Sequence, residues 1–212
     1  MLRKYFRKAV YLVLAIGFCV AHAGSYDDFF IAIKNDNAGT VAELLARGFD
    51  PNTRDPKGRP GLTIAMQEQS LKAARVLLAQ SGLEVDALNQ AGESALMMAA
   101  IKGDLAGLDM LQARGARINQ PGWSAIHYAA SGPETQAVRW LLDRGANVNA
   151  LAPNGSTPLM MAAQYGPESS VTLLLERGAD ARLRNQRDLG AADFARLAGR
   201  ESLTRMLEKL QR

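Results

Sequence analysis

Apolar positions along this chain fall into short clusters with three-and-four spacing, and each cluster runs into a glycine. The segments AELLARGFDPN (42–52), ARVLLAQSGLEVD (74–86), LDMLQARGARIN (108–119), VRWLLDRGANVN (138–149) and VTLLLERGADAR (171–182) share this plan. Val138, Leu141 and Leu142, and likewise Val171, Leu174 and Leu175, mark one buried face of an amphipathic helix. The glycines Gly48, Gly82, Gly115, Gly145 and Gly178 follow one another at 34, 33, 30 and 33 residues. Gly48, Gly115, Gly145 and Gly178 are expected to take the left-handed conformation that ends a helix.

A second apolar cluster precedes each of these helices: GRPGLTIAM (58–66), GESALMMAA (92–100), GWSAIHYAA (122–130) and GSTPLMMAA (155–163). Its anchors Leu62, Leu96, Ile126 and Leu159 are 34, 30 and 33 residues apart, the same beat as the glycines. Two features with one period of about 33 residues define a stacked repeat. Thr157 can accept the free N–H groups of a helix start, and Pro158 suits the first helical position, where its missing N–H costs nothing. Ser94 and Ser124 hold the matching cap positions. Ala99-Ala100, Ala129-Ala130 and Ala162-Ala163 are small enough to let neighbouring helices approach closely.

The order glycine, Thr-Pro-Leu, Ala-Ala, glycine, Val-x-x-Leu-Leu, glycine-alanine, Asn resembles the ankyrin repeat. It is carried best by Gly155-Ser156-Thr157-Pro158-Leu159 through Gly178-Ala179-Asp180, and well by Gly122 through Asn149. The resemblance covers nearly all of 26–210. It implies an all-α ankyrin solenoid of about six helix-turn-helix units with short extended finger turns. The units are expected at about 26–54, 55–87, 88–118, 119–151, 152–184 and 185–212. The first, with Asp27-Asp28-Phe29-Phe30 for a cap, and the last, GAADFARLAGR (190–200), are irregular and read as end caps. Unit two carries an extra residue in 79–86, and the finger leading into unit four is short.

Residues 1–23 have a different plan. Arg3, Lys4, Arg7 and Lys8 precede an apolar run from Ala9 to Val20, and Ala21-His22-Ala23 has a small-x-small pattern. That is the layout of a secretory signal peptide cut after Ala23, leaving a domain at 24–212. The alternative is an uncleaved membrane anchor, against which stands an apolar run shorter than a bilayer needs. Cys19 follows Phe18, where lipidation would want a small residue. Cys19 is also the sole cysteine, so a processed chain forms no disulfide in an oxidising compartment. The reading is a bacterial periplasmic protein.

Charge then changes the picture. The chain has 25 Lys and Arg against 21 Asp and Glu, and the four basic residues of 1–23 make up the whole excess. Residues 24–212 are balanced, which leaves no basic field for nucleic acid. The arginines near the C-terminus are diluted by Asp188, Asp193, Glu201 and Glu208.

Candidate chemistry is sparse. His127 is the one histidine beyond 1–23, and at its position ankyrin repeats often carry a histidine that bonds neighbouring turns. A catalytic triad needs a histidine facing both a nucleophile and an acid, and a zinc site needs three or four nitrogen or sulfur ligands. Neither can be built here, and no phosphate loop is present. The expectation is a monomeric protein without catalytic, metal or cofactor sites, with a hydrolase built on the stack as the less favoured alternative. The resemblance places partner binding on the concave face of first helices and turns. Trp123 is the sharpest anchor there, with Tyr165, Arg59 and Ile101, and Lys57, Glu93 and Lys102 around them; interface hot spots favour Trp, Tyr and Arg. Trp123 could equally fold onto the adjoining finger. Trp140 is expected between units. Of Met66, Met97, Met98, Met160 and Met161, at least one of each adjacent pair belongs in the core.

Overall fold

The computed structural model describes residues 24–211, so the signal-peptide reading of 1–23 lies outside the described residues. The described residues form antiparallel helix pairs: α1 (24–34) with α2 (Ala38–Ala46), α3 (Gly61–Gln67) with α4 (Leu71–Leu78), α5 (Ala95–Lys102) with α6 (Leu105–Ala113). Then follow α7 (Ala125–Ser131) with α8 (Thr135–Asp143), α9 (Pro158–Gln164) with α10 (Glu168–Glu176), and α11 (Ala191–Leu197) with α12 (Glu201–Leu210). No strand occurs among the described residues; two isolated antiparallel bridges, Arg54 to Pro60 and Arg184 to Gly190, mark the loops.

Sequence sets each pair. The Thr157 hydroxyl accepts from the Met160 N–H with Pro158 at the first helical position, and Ser94 caps α5 through Met97 in the same way. Gly48, Gly115, Gly145 and Gly178 have φ of 88, 83, 82 and 88° and stop the second helices. Between units, Asn side chains fasten one loop to the next glycine turn. Asn149 donates to the Gly178 carbonyl and accepts from the Asp180 N–H, as Asn119 does with Gly145 and Asn147.

From α3 onward the first helices are seven or eight residues long and the second helices eight to ten. Consecutive first helices meet through fully buried alanines, Ala65, Ala99, Ala129, Ala130, Ala162, Ala163 and Ala195. Second helices meet through larger groups such as Leu108, Leu111, Trp140 and Leu173. Smaller spacers on one side bend the stack toward the first helices.

Some expected positions differ. Leu142 and Leu175 are half-buried, while Trp140 and Leu173 are nearly inaccessible. α8 packs against both α6 and α10, so its buried arc is turned toward its neighbours. Trp140 donates its indole N–H to Asp109 of α6 at 2.8 Å, with the Arg144 guanidinium 3.9 Å from its ring centroid. Met66, Met97, Met98 and Met160 are buried, and Met161 alone of that set is half-exposed.

The ends differ in quality. Phe29, at the first end, is fully buried against Phe49 and Phe30, and the Tyr26 hydroxyl donates to the Arg54 carbonyl. At the last end Leu203 and Leu207 are buried, yet Leu197 and Leu210 stay 68% and 50% exposed.

Candidate binding face

The site begins with one slot that recurs at the third residue of each first helix from α3 onward. In α5 the slot holds Met97, whose sulfur accepts the Ser94 N–H at 3.4 Å; in α9 Met160 does the same for Thr157. In α11 the Asp193 carboxylate accepts the Gly190 N–H at 2.9 Å. In α3 the slot holds Thr63, whose buried hydroxyl has no partner. In α7 it holds His127.

His127 is 1% exposed and bonded at both ring nitrogens. Nε2 lies 3.1 Å from the Ala150 carbonyl and 3.2 Å from the Ser156 carbonyl. Nδ1 lies 3.3 Å from the Ser124 N–H and 3.0 Å from its hydroxyl. Carbonyls only accept and a backbone N–H only donates. Nε2 therefore carries the proton, Nδ1 is bare, and the ring is neutral. Ser156 is 1% exposed and serves this junction.

Burial holds the His127 imidazole below its ordinary value, with the Ser156 and Ala150 carbonyls pulling the other way. A depressed folded-state value means that the unfolded chain takes up the proton first as pH falls. Stability is then complete above about pH 6.5 and is lost as pH drops toward the folded-state value. Melting temperature should decline between pH 6.5 and 5, by at most about 1.4 kcal/mol of stability per pH unit. The lowered carboxyls Asp55, Asp180 and Asp193 act as pH falls through 3.8 and below, outside that window. A His127→Gln chain should melt lower but with no slope between pH 6.5 and 5; a persisting slope would refute the assignment.

The loops carry the rest of the face. In 47–60, 79–94, 144–157 and 177–190 a tight hairpin closes: Asp55 to Arg59, Asn89 to Glu93, Ala152 to Ser156 and Asn185 to Leu189, with N–H to carbonyl distances of 2.9 or 3.0 Å. Loop 114–124 is short and forms no such hairpin among the described residues. Trp123 stands at its foot, half-buried, its ring edge-on to His127 at 5.3 Å between centroids. Trp123 is thus partly covered, by the His127 ring of α7.

Beside Trp123 lies a cleft of about 180 Å³ lined by Ile101 of α5, His127, Tyr128 and Ser131 of α7, and Met161 of α9. Two of the sequence candidates, Trp123 and Ile101, meet here. Tyr165 is 61% exposed at the C-terminal end of α9, and Lys102 is exposed at the last residue of α5. Lys57 is exposed at a hairpin tip. Arg59 is half-buried and occupied, paired with Asp55 at 2.7 Å and bonded to Gln67. Glu93 accepts the Tyr128 hydroxyl at 3.0 Å and the Asn89 amide at 2.7 Å. Burial first, then the charge and hydrogen bond of Glu93, push the Tyr128 hydroxyl above its ordinary value, so it stays a donor. Tyr128, Ser131 and Met161 were not singled out as anchors from sequence. Their signal is position alone, on the first helices directly flanking an alanine pair. Among the described residues no cluster of three or more His, Cys, Asp or Glu could hold a metal ion.

Stacked helix pairs, linked by hairpin loops and bonded across units by Asn and His, define a helical repeat module. The ankyrin-repeat family model matches residues 29–121 and 110–185, and the chain belongs to that family. Such repeats are generally non-catalytic modules for protein–protein interaction. An ankyrin repeat domain from Acinetobacter baumannii has a TM-score of 0.69 and 27% identity, over 86% of this chain and 96% of that one. A structure of the Bd0816 predatory endopeptidase from Bdellovibrio bacteriovorus in complex with immunity protein Bd3460 gives a TM-score of 0.73 at 23% identity. That match covers 86% of this chain and 97% of the matched one. Among curated proteins, the intracellular phospholipase A2 of Caenorhabditis elegans is 29% identical over 74% of this chain. The potassium channel AKT1 of Arabidopsis thaliana is 34% identical over 70%. The aligned regions span only 16% and 21% of those two proteins.

Proposed function

We propose that this protein is an exported scaffold of the bacterial periplasm that holds a protein partner on its first-helix face and performs no chemistry of its own. The observation that carries the reading is the half-open Trp123 beside a cleft on that face, with Tyr165 exposed at the end of α9, four residues beyond Met161 of the cleft. The signal-peptide plan of 1–23 and the absence of cysteine from 24–212 support export. The balanced charge of 24–212 favours a protein over nucleic acid, and the stack acts as a monomer. Rigid stacking lowers the ordering cost of association, so a few aromatic anchors supply the affinity.

Trp123→Ala combined with Tyr165→Ala should weaken capture of the partner from periplasmic extract by roughly 100-fold, as expected for hot-spot side chains. Thermal melts of the variant establish that the stack persists. Unchanged capture would sink the concave-face reading. A second reading keeps the leader as a membrane anchor, with the stack displayed outside the inner membrane. N-terminal sequencing of the exported protein separates the two, since a chain beginning at Gly24 excludes the anchor.

A further inference from the structure

The hydroxyl and imidazole donors of the cleft between α5, α7 and α9 are already committed within the protein. The Tyr128 hydroxyl is given to Glu93, and the Ser131 hydroxyl donates to the His127 carbonyl at 2.9 Å. Both nitrogens of His127 are bonded to backbone. Ile101, Trp123 and Met161 complete the walls with apolar surface, and no lining residue carries a formal charge. A charged occupant would lose its water there and gain no partner, which is strongly unfavourable. A polar occupant finds these donors already given away and meets mainly apolar walls, with hydroxyl lone pairs as the remaining acceptors.

Size narrows the choice further. About 180 Å³ is below the roughly 300–1,000 Å³ of sites that enclose whole small molecules or cofactors. It is suited to one side chain. The walls are also fixed in advance: Tyr128 is tied to the preceding loop by Glu93, and His127 to the following one by Ala150 and Ser156. Met161 is the pliable member, a thioether that can adapt to the shape it meets.

We propose that this cleft receives a single uncharged apolar side chain, a phenylalanine or leucine, projecting from the protein partner, with the neutral lining selecting against charged residues. The inference rests on the concave-face reading and adds the chemistry of the residue recognised there.

The test is methyl NMR of the purified protein titrated with N-acetyl-phenylalaninamide, N-acetyl-leucinamide and N-acetyl-lysinamide. The Met161 ε-methyl and Ile101 δ-methyl signals should shift saturably with the first two probes, while the buried Met66 and Met97 methyls stay still. N-acetyl-lysinamide should bind at least about tenfold more weakly, the difference made by burying an apolar rather than a charged group. Filling the cleft with Met161→Trp should abolish the Ile101 shift; the wild-type titration decides the matter even if that variant does not fold. No saturable shift, or equal shifts with all three probes, would overturn the proposal. If the probes fail while Trp123→Ala with Tyr165→Ala still abolishes capture, only the cleft assignment falls. If the probes bind but capture survives, the cleft stands and the concave-face reading falls.

Discussion

Gly166→Ala should be among the most damaging single substitutions in this chain, lowering stability by about 3 kcal/mol or more. Gly166 lies in the turn between α9 and α10, and an added Cβ would stand 2.2 Å from the Ala130 carbonyl oxygen and 3.1 Å from the Ala162 Cα. Both are backbone atoms, so no side chain can rotate away. Relief requires α9 to withdraw from α7, across the alanine contact that bends the stack. In a chain of this size that loss corresponds to a melting temperature lower by roughly 6–12 °C. Because each unit is stabilised by its neighbours, the weakened junction should also split one unfolding transition into two. Gly178→Ala is the control. Its Cβ meets nothing within 4 Å, and only its φ of 88° is strained for alanine, costing about 1–2 kcal/mol. Circular-dichroism melts that place Gly166→Ala no lower than Gly178→Ala would refute the steric argument.

These two glycines also show what the sequence could disclose. The left-handed Gly178 was readable because its cause is local: an amphipathic helix stops, and the next residues turn. Gly166 is visible as the glycine that follows the alanine pair in the repeat, but its cause is not, since the constraint comes from a carbonyl 36 positions earlier, at Ala130. The same division runs through the binding face. Helix caps at Ser94 and Thr157, the alanine pairs and the short loop before α7 follow from neighbours in sequence. The commitment of Glu93 to Tyr128, 35 positions on, does not, whereas Arg59 is engaged by Asp55 only four positions before it. Trp123 was visible as an oddity in a turn. Its partners became visible only when α5, α7 and α9 were set side by side, because Ile101, Tyr128 and Met161 sit about one repeat apart. The half-buried Leu142 and Leu175 make the same point, since helical spacing locates a buried face but a neighbour on each side decides how far it turns.

Arg200→Ala should detach the last unit from the stack. Arg200 stands at the N-terminal boundary of α12, and its guanidinium Nη1 donates to the carbonyls of Ala162, Ala163 and Gly166 at 3.0, 3.1 and 2.7 Å. These carbonyls belong to the end of α9, where the helix has no further N–H groups to offer and its dipole favours a cation. One charge-assisted donor serving three acceptors, half-buried between units, is worth about 2–4 kcal/mol by comparison with hydrogen bonds to charged groups. Lysine would keep the charge but not the planar fork, so Arg200→Lys should recover only part of the loss. Hydrogen exchange is the decisive measurement: amides of α11 and α12 should lose protection first in Arg200→Ala, while those of α3 through α8 hold theirs. Uniform loss along the stack would mean that Arg200 acts on the whole fold and not on one junction. The turn that Arg200 grips from outside is the one Gly166 holds from within, and Tyr165 projects from it. Tyr165, proposed above as an anchor, is thus carried on a turn fastened from both sides, which is what a binding face with little ordering cost requires.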